Sequence, residues 1–416
     1  MMAQSLLLTN ARVLTCTGDI YERPVAADVL IEGDRIAHVS KQRLVRTDSV
    51  RVIDLHGATV LPGLGDAHTH ISWTLDFVFD HGALATAPPA AHALDVAAVT
   101  KTFIDSGYTM IIGAGVSQPQ DDLLAKAAID RGELPGPRIV PSGTMVTATG
   151  CIGADTGMMQ VAADARAMRE IVAKQCDMGV KAIKLFVSGD SIVDDFPSDD
   201  LYMNDAMVEA AVNEADRHGA FITAHARCAA SVAMSARAGV RVIHHACFID
   251  DAALAALTAR RNDVWVCPGL HYLWAMVNGL AEPWGMTSER IERAGYHREL
   301  ACQIESIKTM TAAGIKLVAG GDFGHQWTKH GTYAAELQRY VDQCGLSPVA
   351  AIHSATRNFA SLLGLDVGEI REGALADLLI VDGDPTADIT VLQQPQRRRA
   401  VLKNGKFAYV NPQLYP

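Results

Sequence analysis

Two textures of apolar and polar residues divide this chain. Residues 1–60 and 365–416 read as short strands. Val29-Leu30-Ile31 and Arg35-Ile36-Ala37-His38-Val39 flank Glu32-Gly33-Asp34, a hairpin signal. Arg51-Val52-Ile53-Asp54-Leu55 alternates apolar and polar positions. Near the other end, Leu378-Leu379-Ile380-Val381 runs into Asp382-Gly383-Asp384-Pro385, and Ala400-Val401-Leu402-Lys403 meets Asn404-Gly405, the strongest two-residue hairpin signal. Two strand-rich ends around a different middle predict one small β domain built from both termini. The middle, 61–364, alternates short apolar runs with long Ala-rich amphipathic stretches. The runs are Val60–Ala67, Thr109–Ile112, Arg138–Pro141, Ala182–Val187, Phe221–Ala224, Val240–Ile243, Val264–Cys267 and Lys316–Ala319. The stretches between them include Ala206–His218, Ser231–Ala238 and Ile291–Ala313. Eight strand–helix alternations predict an α/β fold, a (β/α)8 TIM barrel, beside a β-sandwich domain of 1–60 with 365–416.

Composition narrows the class. The chain has 416 residues, 49% hydrophobic and 20% charged, as an ordinary globular protein does. A chain of this length buries a large core without metal or disulfide staples, so a metal site here points to catalysis. With 36 Lys+Arg against 47 Asp+Glu the net charge is −11, and the densest basic run, Arg397-Arg398-Arg399, is too short to make a groove. Nucleic acid and anionic membrane are poor partners for such a surface. The 8 cysteines include no Cys-x-x-Cys pair, which excludes a zinc ribbon and a thioredoxin-like motif. The start, Met1 to Leu8, lacks the basic region of a secretory signal, and no stretch of about 20 apolar residues is present. The expectation is a cytoplasmic enzyme with reduced thiols.

A barrel carries its catalytic groups at the C-terminal ends of its strands. Strand 1 ends in His68-Thr69-His70, where residues two apart face the same way. Strand 4 carries Lys184, strand 5 ends at His225, strand 6 at His244-His245, and strand 8 at Asp322 after Gly320-Gly321. Each has a bland reading. A His-x-His pair often binds nothing, the Lys184 stem can pack while its amine reaches out, His225 can be a satisfied core histidine, and Asp322 can cap a helix. Jointly they are improbable as coincidence. Imidazole and carboxylate suit zinc, with positions left for water.

With these residues in view, the chain resembles the metal-dependent amidohydrolase superfamily. Leu61-Pro62-Gly63-Leu64-Gly65-Asp66-Ala67-His68-Thr69-His70 is similar to that family's opening motif. Gly373-Ala374-Leu375-Ala376-Asp377-Leu378-Leu379-Ile380-Val381, with Asp384-Pro385, resembles its return to the β domain. The nearest branch is that of imidazolonepropionases and prolidase-like Xaa-Pro carboxypeptidases. The resemblance implies two divalent ions, Zn2+ first among them, bridged by a Lys184 carboxylated by CO2. His68, His70 and Asp322 would bind the more buried ion, and His225 and His245 the more exposed one. Where the family carries Ile-Glu-His, this chain has Ile243-His244-His245, which aligns His245 with the ligand and leaves His244 in the place of Glu.

The implied chemistry is hydrolysis of a C–N bond in an amide, carbamate, urea or N-acyl amino acid by a metal-bridging hydroxide. Asp322 would serve as general base and then as general acid. The single-metal deaminase branch fits less well, since no acid follows His225 and Lys184 would have no role. Cysteine catalysis by Cys228 or Cys247 is weaker still, because a small buried hydrophobe is the ordinary reading of such residues. The alternatives are an Xaa-Pro-type dipeptidase and a non-catalytic scaffold on the same fold; scaffolds lose ligands, and all six positions are intact here. The implied assembly is a homo-oligomer acting on a small molecule. For substrate binding the candidates are Arg227, His244, His271 and Tyr272, with Trp73, Trp274, His325 and Trp327 on an aromatic rim. Arg227 either holds a carboxylate or forms a structural ion pair. The loop where the dipeptidase branch has a histidine reads Thr149-Gly150-Cys151-Ile152-Gly153 here, which favours neutral or aryl-bearing substrates.

Overall fold

The computed structural model describes residues 5–45, 49–73, 88–151, 154, 157–190 and 197–412. Both ends of the chain enter one eight-stranded sheet. Its members are β1 (Ser5–Val13), β2 (Val25–Glu32), β3 (Arg35–Ser40), β4 (Val50–Asp54) and β5 (Thr59–Pro62) from the first part of the chain. The last part of the chain supplies Leu378–Val381, Arg398–Lys403 and Lys406–Val410. The final hairpin turns at Asn404 and Gly405, with φ of 51° and 71°, the left-handed pair that a two-residue turn needs. This sheet has its own apolar core, in which Leu8, Val13, Val29, Val60, Leu378, Ile380 and Leu402 meet.

The middle of the chain is an α/β arrangement of the TIM-barrel type. Its strands are β6 (Leu64–Thr69), β7 (Tyr108–Gly113), β8 (Arg138–Val140), β9 (Met145–Ala148), β10 (Met159–Ala162), β11 (Ala182–Phe186), β12 (Phe221–Ala226), β13 (Val242–His245), β14 (Trp265–Cys267) and β15 (Lys316–Leu317). Parallel pairing runs β6-β7-β8 in one sheet and β10-β9-β11-β12-β13-β14-β15 in another. Backbone hydrogen bonds continue past the ends of both. Ala67 N–H donates to the Ala319 carbonyl (2.8 Å), and Lys181 and Ala182 N–H donate to that of Pro141 (2.9 and 3.0 Å). Of these, β6, β7, β9, β11, β12, β13 and β14 are buried along their whole length, as parallel strands covered by helices are.

Each predicted run of the middle overlaps one of these strands, with three differences. The run Val60–Ala67 is two strands. Gly63 N–H donates to the Asp377 carbonyl (2.9 Å) and divides β5 of the terminal sheet from β6. Between β8 and β11 the chain inserts β9 and β10, each four residues long. The predicted helix Ile291–Ala313 is two, Ser288–Arg293 and Tyr296–Ala312, because Gly295 between them is left-handed with φ 72°. Among the described residues no helix is long and apolar enough to cross a membrane.

Candidate active site

Four strands, β6, β11, β12 and β13, and the loop after β15 bring the predicted ligands together. His68 and His70 close β6, whose end is fixed from two sides. Asp66 Oδ1 accepts the His68 N–H (2.9 Å), and His70 N–H donates to the Phe323 carbonyl (2.8 Å). Lys184 lies in the middle of β11 and is 1% exposed. His225 is the penultimate residue of β12, and its backbone carbonyl accepts the Val187 N–H (3.0 Å). His244 and His245 end β13. Strand alternation would send two consecutive side chains to opposite faces. Here both rings reach His68, since His245 and Ala246 adopt φ of 72° and 48°. The His244 ring stacks on His68 at 3.9 Å, and the His245 ring stands edge-on to it at 5.0 Å. Asp322 is left-handed too, at φ 58°. Such backbone costs on the order of 1–3 kcal/mol per residue and clusters where a site imposes it.

The donor geometry calls for a cation. His70 Nδ1 lies 3.1 Å from the Gly115 carbonyl oxygen, so that nitrogen carries the hydrogen. Its Nε2 then presents a lone pair, and it lies 3.1 Å from Asp322 Oδ1. His68 Nε2 faces the same oxygen at 3.3 Å. Burial pushes the Asp322 carboxyl up, but at the low pH where it titrates a protonated His70 donates to it and, with the field of His325, His70 and Lys184, holds the group below the usual carboxylate range. It is therefore ionised at pH 7, where the His70 Nε2 hydrogen is gone. An ionised oxygen facing imidazole lone pairs is repulsive unless a positive ion sits among them. His68 Nδ1, His244 Nε2 and His245 Nδ1 are buried with no hydrogen-bond partner. One donor atom each from His68, His70 and Asp322 lie within 4.8 Å of one another. This set fits a divalent metal.

The protonation states fit as well. Burial lowers the pKa of His68, His70, His244 and His245, and takes that of His225 to about 3 with help from Arg227, so the rings are neutral at pH 7. Neutral imidazole is the metal-binding form. His225 Nε2 donates to the Gly189 carbonyl (3.1 Å), which leaves Nδ1 with its lone pair. Lys184 Nζ lies 3.2 Å from His68 Nε2 and 2.6 Å from His244 Nδ1. Burial lowers the pKa of this amine to about 7, against the pull of Asp322.

The residues expected to bind substrate divide. Tyr272 stands beside the centre, with its ring 4.9 Å from that of His325 and 5.8 Å from that of Trp327. Trp73 stacks on His70 at 3.6 Å, with His325 edge-on to it at 5.1 Å. The aromatic wall is thus Trp73, His325, Trp327 and Tyr272. Three expectations need correction. His244 is fully buried between His68 and Lys184, so it belongs with the donor cluster and not on a substrate surface. His271 turns to the flank of its helix, stacked on Trp274 at 5.9 Å, and Trp274 lies under the Arg339 guanidinium at 3.9 Å. Trp274 thus packs against the helix Ala335–Asp342, the His271 ring lies 6.0 Å from that of Phe323, and neither belongs to the wall. Ile152 and Gly153 lie outside the described residues.

Arg227 is the third correction. Of the two roles open in the sequence, the geometry carries the ion pair. The side chain is 0% exposed, with Nη2 2.8 Å from Asp190 and Nη1 2.5 Å from Glu299. With both ends of its fork taken, it is not a free anchor for a substrate carboxylate. Arg227→Ala is expected to cost about 3–5 kcal/mol in denaturant unfolding, because two buried carboxylates lose their cation. A loss below about 1 kcal/mol, the scale of an exposed pair, would show that the network does not support the fold.

Several positioning residues were not picked out in the sequence. Asp190 joins Arg227 to Tyr296, whose hydroxyl donates to Oδ1 at 3.1 Å, and Glu299 accepts from Ser198 at 2.8 Å. Glu336 accepts the N–H of Leu270 (3.0 Å) and His271 (2.6 Å), holding the first turn of the helix that carries Tyr272. Phe186 stacks on His225 at 3.9 Å. Only Asp66 carried a signal, its place two residues before His68 in the quoted motif. Cys228 precedes the helix Ala229–Ala238, and its thiol meets the Ser231 hydroxyl at 3.3 Å.

Comparison with known proteins agrees with this geometry. Residues 59–408 match the model of the amidohydrolase family. An ochratoxinase from Aspergillus niger is 23% identical over 92% of this chain and 83% of its own length. An imidazolonepropionase from Salinispora arenicola is 24% identical over 96% of this chain and 98% of its own. Among solved structures, a prolidase complexed with N-methylphosphonate-L-proline superposes with a TM-score of 0.84 at 26% identity, covering 98% of this chain and 100% of that one.

Proposed function

This chain belongs to the amidohydrolase family, and from that premise we propose a binuclear metal-dependent hydrolase that cleaves a C–N bond of a neutral or aryl-bearing amide, carbamate or urea. The observation that carries the proposal is the pair of imidazole nitrogens, His68 Nε2 and His70 Nε2, at 3.3 and 3.1 Å from one ionised oxygen of Asp322. His68, His70 and Asp322 would hold one ion, His225 and His245 the other, with carboxylated Lys184 between them. Bound there, two divalent ions, Zn2+ by the chemistry of the donors, supply Lewis acidity that acidifies water and polarises a carbonyl. The catalytic unit is 61–364 as a (β/α)8 barrel, with 1–60 and 365–416 as the β-sandwich domain. The hydrogen bonds that continue past the ends of both parallel sheets support that closure.

The protein's own groups then have distinct tasks. Asp322 Oδ1 is turned to His68 and His70, while Oδ2 stands 4.0 Å from His245 Nε2. Oδ2 is the atom that takes the proton of the attacking water and returns it to the leaving nitrogen. Trp73, His325, Trp327 and Tyr272, all at most 8% exposed, exclude water on one side and receive the apolar part of the substrate. Arg227, paired with two acids, leaves a free substrate carboxylate without its expected partner, which favours this reading over an Xaa-Pro dipeptidase.

Two measurements test the proposal. Metal analysis of the purified protein should find close to two divalent ions per chain, with activity lost on chelation; full activity with one ion or none refutes the binuclear centre. At equal metal loading, kcat/KM for N-aryl amides and carbamates should exceed that for Xaa-Pro dipeptides. Efficient dipeptide hydrolysis that requires the free carboxylate would establish the dipeptidase instead.

A further inference from the structure

We propose that Cys267 is a metal ligand, forming with His68 and His244 a thiolate-containing position that the ion of His68, His70 and Asp322 can occupy instead. The proposal rests on the reading above that this centre holds divalent ions, and it adds a soft donor that the sequence did not single out.

Three observations carry it. One donor atom each from His68, His244 and Cys267 lie within 4.8 Å of one another. His244 and Cys267 are paired residues of the neighbouring strands β13 and β14, and strand alternation turns both side chains to the inner face. Second, His244 Nδ1 is engaged by Lys184, while Nε2 is buried with no hydrogen-bond partner, as is His68 Nδ1. Buried imidazole nitrogens are ordinarily paired, so orphans in two stacked rings beside a thiol point to a missing cation. Third, the chain keeps room for the sulfur. A Cβ on Gly320 would fall 2.6 Å from Cys267 Sγ and 2.5 Å from the His68 backbone nitrogen. The one hydrogen bond recorded for the thiol is a long one, 3.5 Å to the Gly320 carbonyl, which it can give up.

The chemistry balances simply. The thiol loses its proton to solvent as the sulfur–metal bond forms, and no electron is transferred. The single lone pair of neutral His68 serves this ion in place of the other position, its ring proton moving to the opposite nitrogen. Metal–nitrogen and metal–sulfur bonds of about 2.0–2.3 Å place the ligands of one ion within about 4 Å of each other, close to the spacing already present. A thiolate selects Zn2+, Co2+ or Cd2+ over Mg2+ or Mn2+, which prefer oxygen.

The test loads the full-length protein with Co2+. Bound cobalt and its visible bands report on the centre as a whole; a near-ultraviolet sulfur-to-cobalt charge-transfer band reports on Cys267. The expected result is both signals in the wild type, with Cys267→Ser keeping cobalt and losing the near-ultraviolet band. Cys247→Ser, which removes another buried thiol, should leave that band in place. Visible bands without charge transfer in the wild type overturn this inference and leave the binuclear reading standing. Charge transfer that persists in Cys267→Ser also overturns it. A protein that takes up no cobalt overturns both. Where Cys267→Ser does not fold, cadmium NMR of the wild type decides, since a thiolate donor shifts the resonance far from that of nitrogen and oxygen donors.

Discussion

Lys184→Ala is expected to give a folded protein that has lost most of its metal and, on the order of several kcal/mol of metal-derived stabilisation, about 10³-fold or more of its turnover. The expectation follows from where the amine sits. A side chain 1% exposed in the middle of β11 could carry a full positive charge only at high cost. Burial lowers its pKa to about 7, so the neutral amine is substantially populated at physiological pH. Neutral lysine attacks CO2, a nitrogen–carbon bond forms, and a proton leaves. The product is an anionic carbamate with two oxygens. The sign of the pH dependence follows. Below pH 7 the amine is increasingly protonated and cannot react. Metal uptake by metal-free protein should therefore depend on bicarbonate and run faster above pH 7 than below it. Short carboxylic acids added to Lys184→Ala should restore part of the metal by replacing the lost oxygens. Wild-type turnover in Lys184→Ala, or metal uptake indifferent to bicarbonate, would remove the lysine from the centre.

What the sequence disclosed is what local periodicity encodes. An apolar run followed by a titratable residue places that residue at a strand end, as at His68, His70 and His225; Asp322, read the same way, lies in the loop past β15. The same logic does not extend to His244. Alternation allows one of two neighbours to face inward, and only the left-handed backbone at His245 and Ala246 brings both rings to His68. Nothing in the local pattern announces a strained φ at a histidine. Arg227 stayed open between two roles for another reason. Its partners Asp190 and Glu299 are 37 and 72 residues away in sequence, on separate elements. Whether a buried guanidinium is free or paired is decided by such distant neighbours. His271 and Tyr272 show the limit of proximity in sequence. They are adjacent in one helical turn, yet one faces Trp274 and the other His325. Secondary structure slipped where one glycine decides the outcome, as Gly63 does between β5 and β6 and Gly295 between two helices.

Asp322→Asn is the variant that separates proton transfer from metal binding. The amide keeps the shape of the carboxylate and one oxygen donor, so Oδ1 can still face His68 and His70. It cannot accept a proton at the position of Oδ2, which stands 4.0 Å from His245 Nε2 in the native protein. Loss of a positioned general acid–base group costs about 10²–10⁴-fold in rate. The loss should appear in kcat, with KM little changed, because the group acts on the moving proton rather than on bound substrate. The acid limb of the native pH–rate profile reports this proton. The native carboxyl is held below the usual carboxylate range and is therefore ionised throughout the neutral region. Its protonation at low pH should switch the enzyme off, and Asp322→Asn should flatten that limb while keeping a low residual rate. A variant with both ions bound and normal kcat would move the proton transfer to another group. His325 is the nearest candidate on the wall, its Nδ1 3.2 Å from the Asp322 carbonyl oxygen, and His325→Asn would then carry the loss predicted here for Asp322.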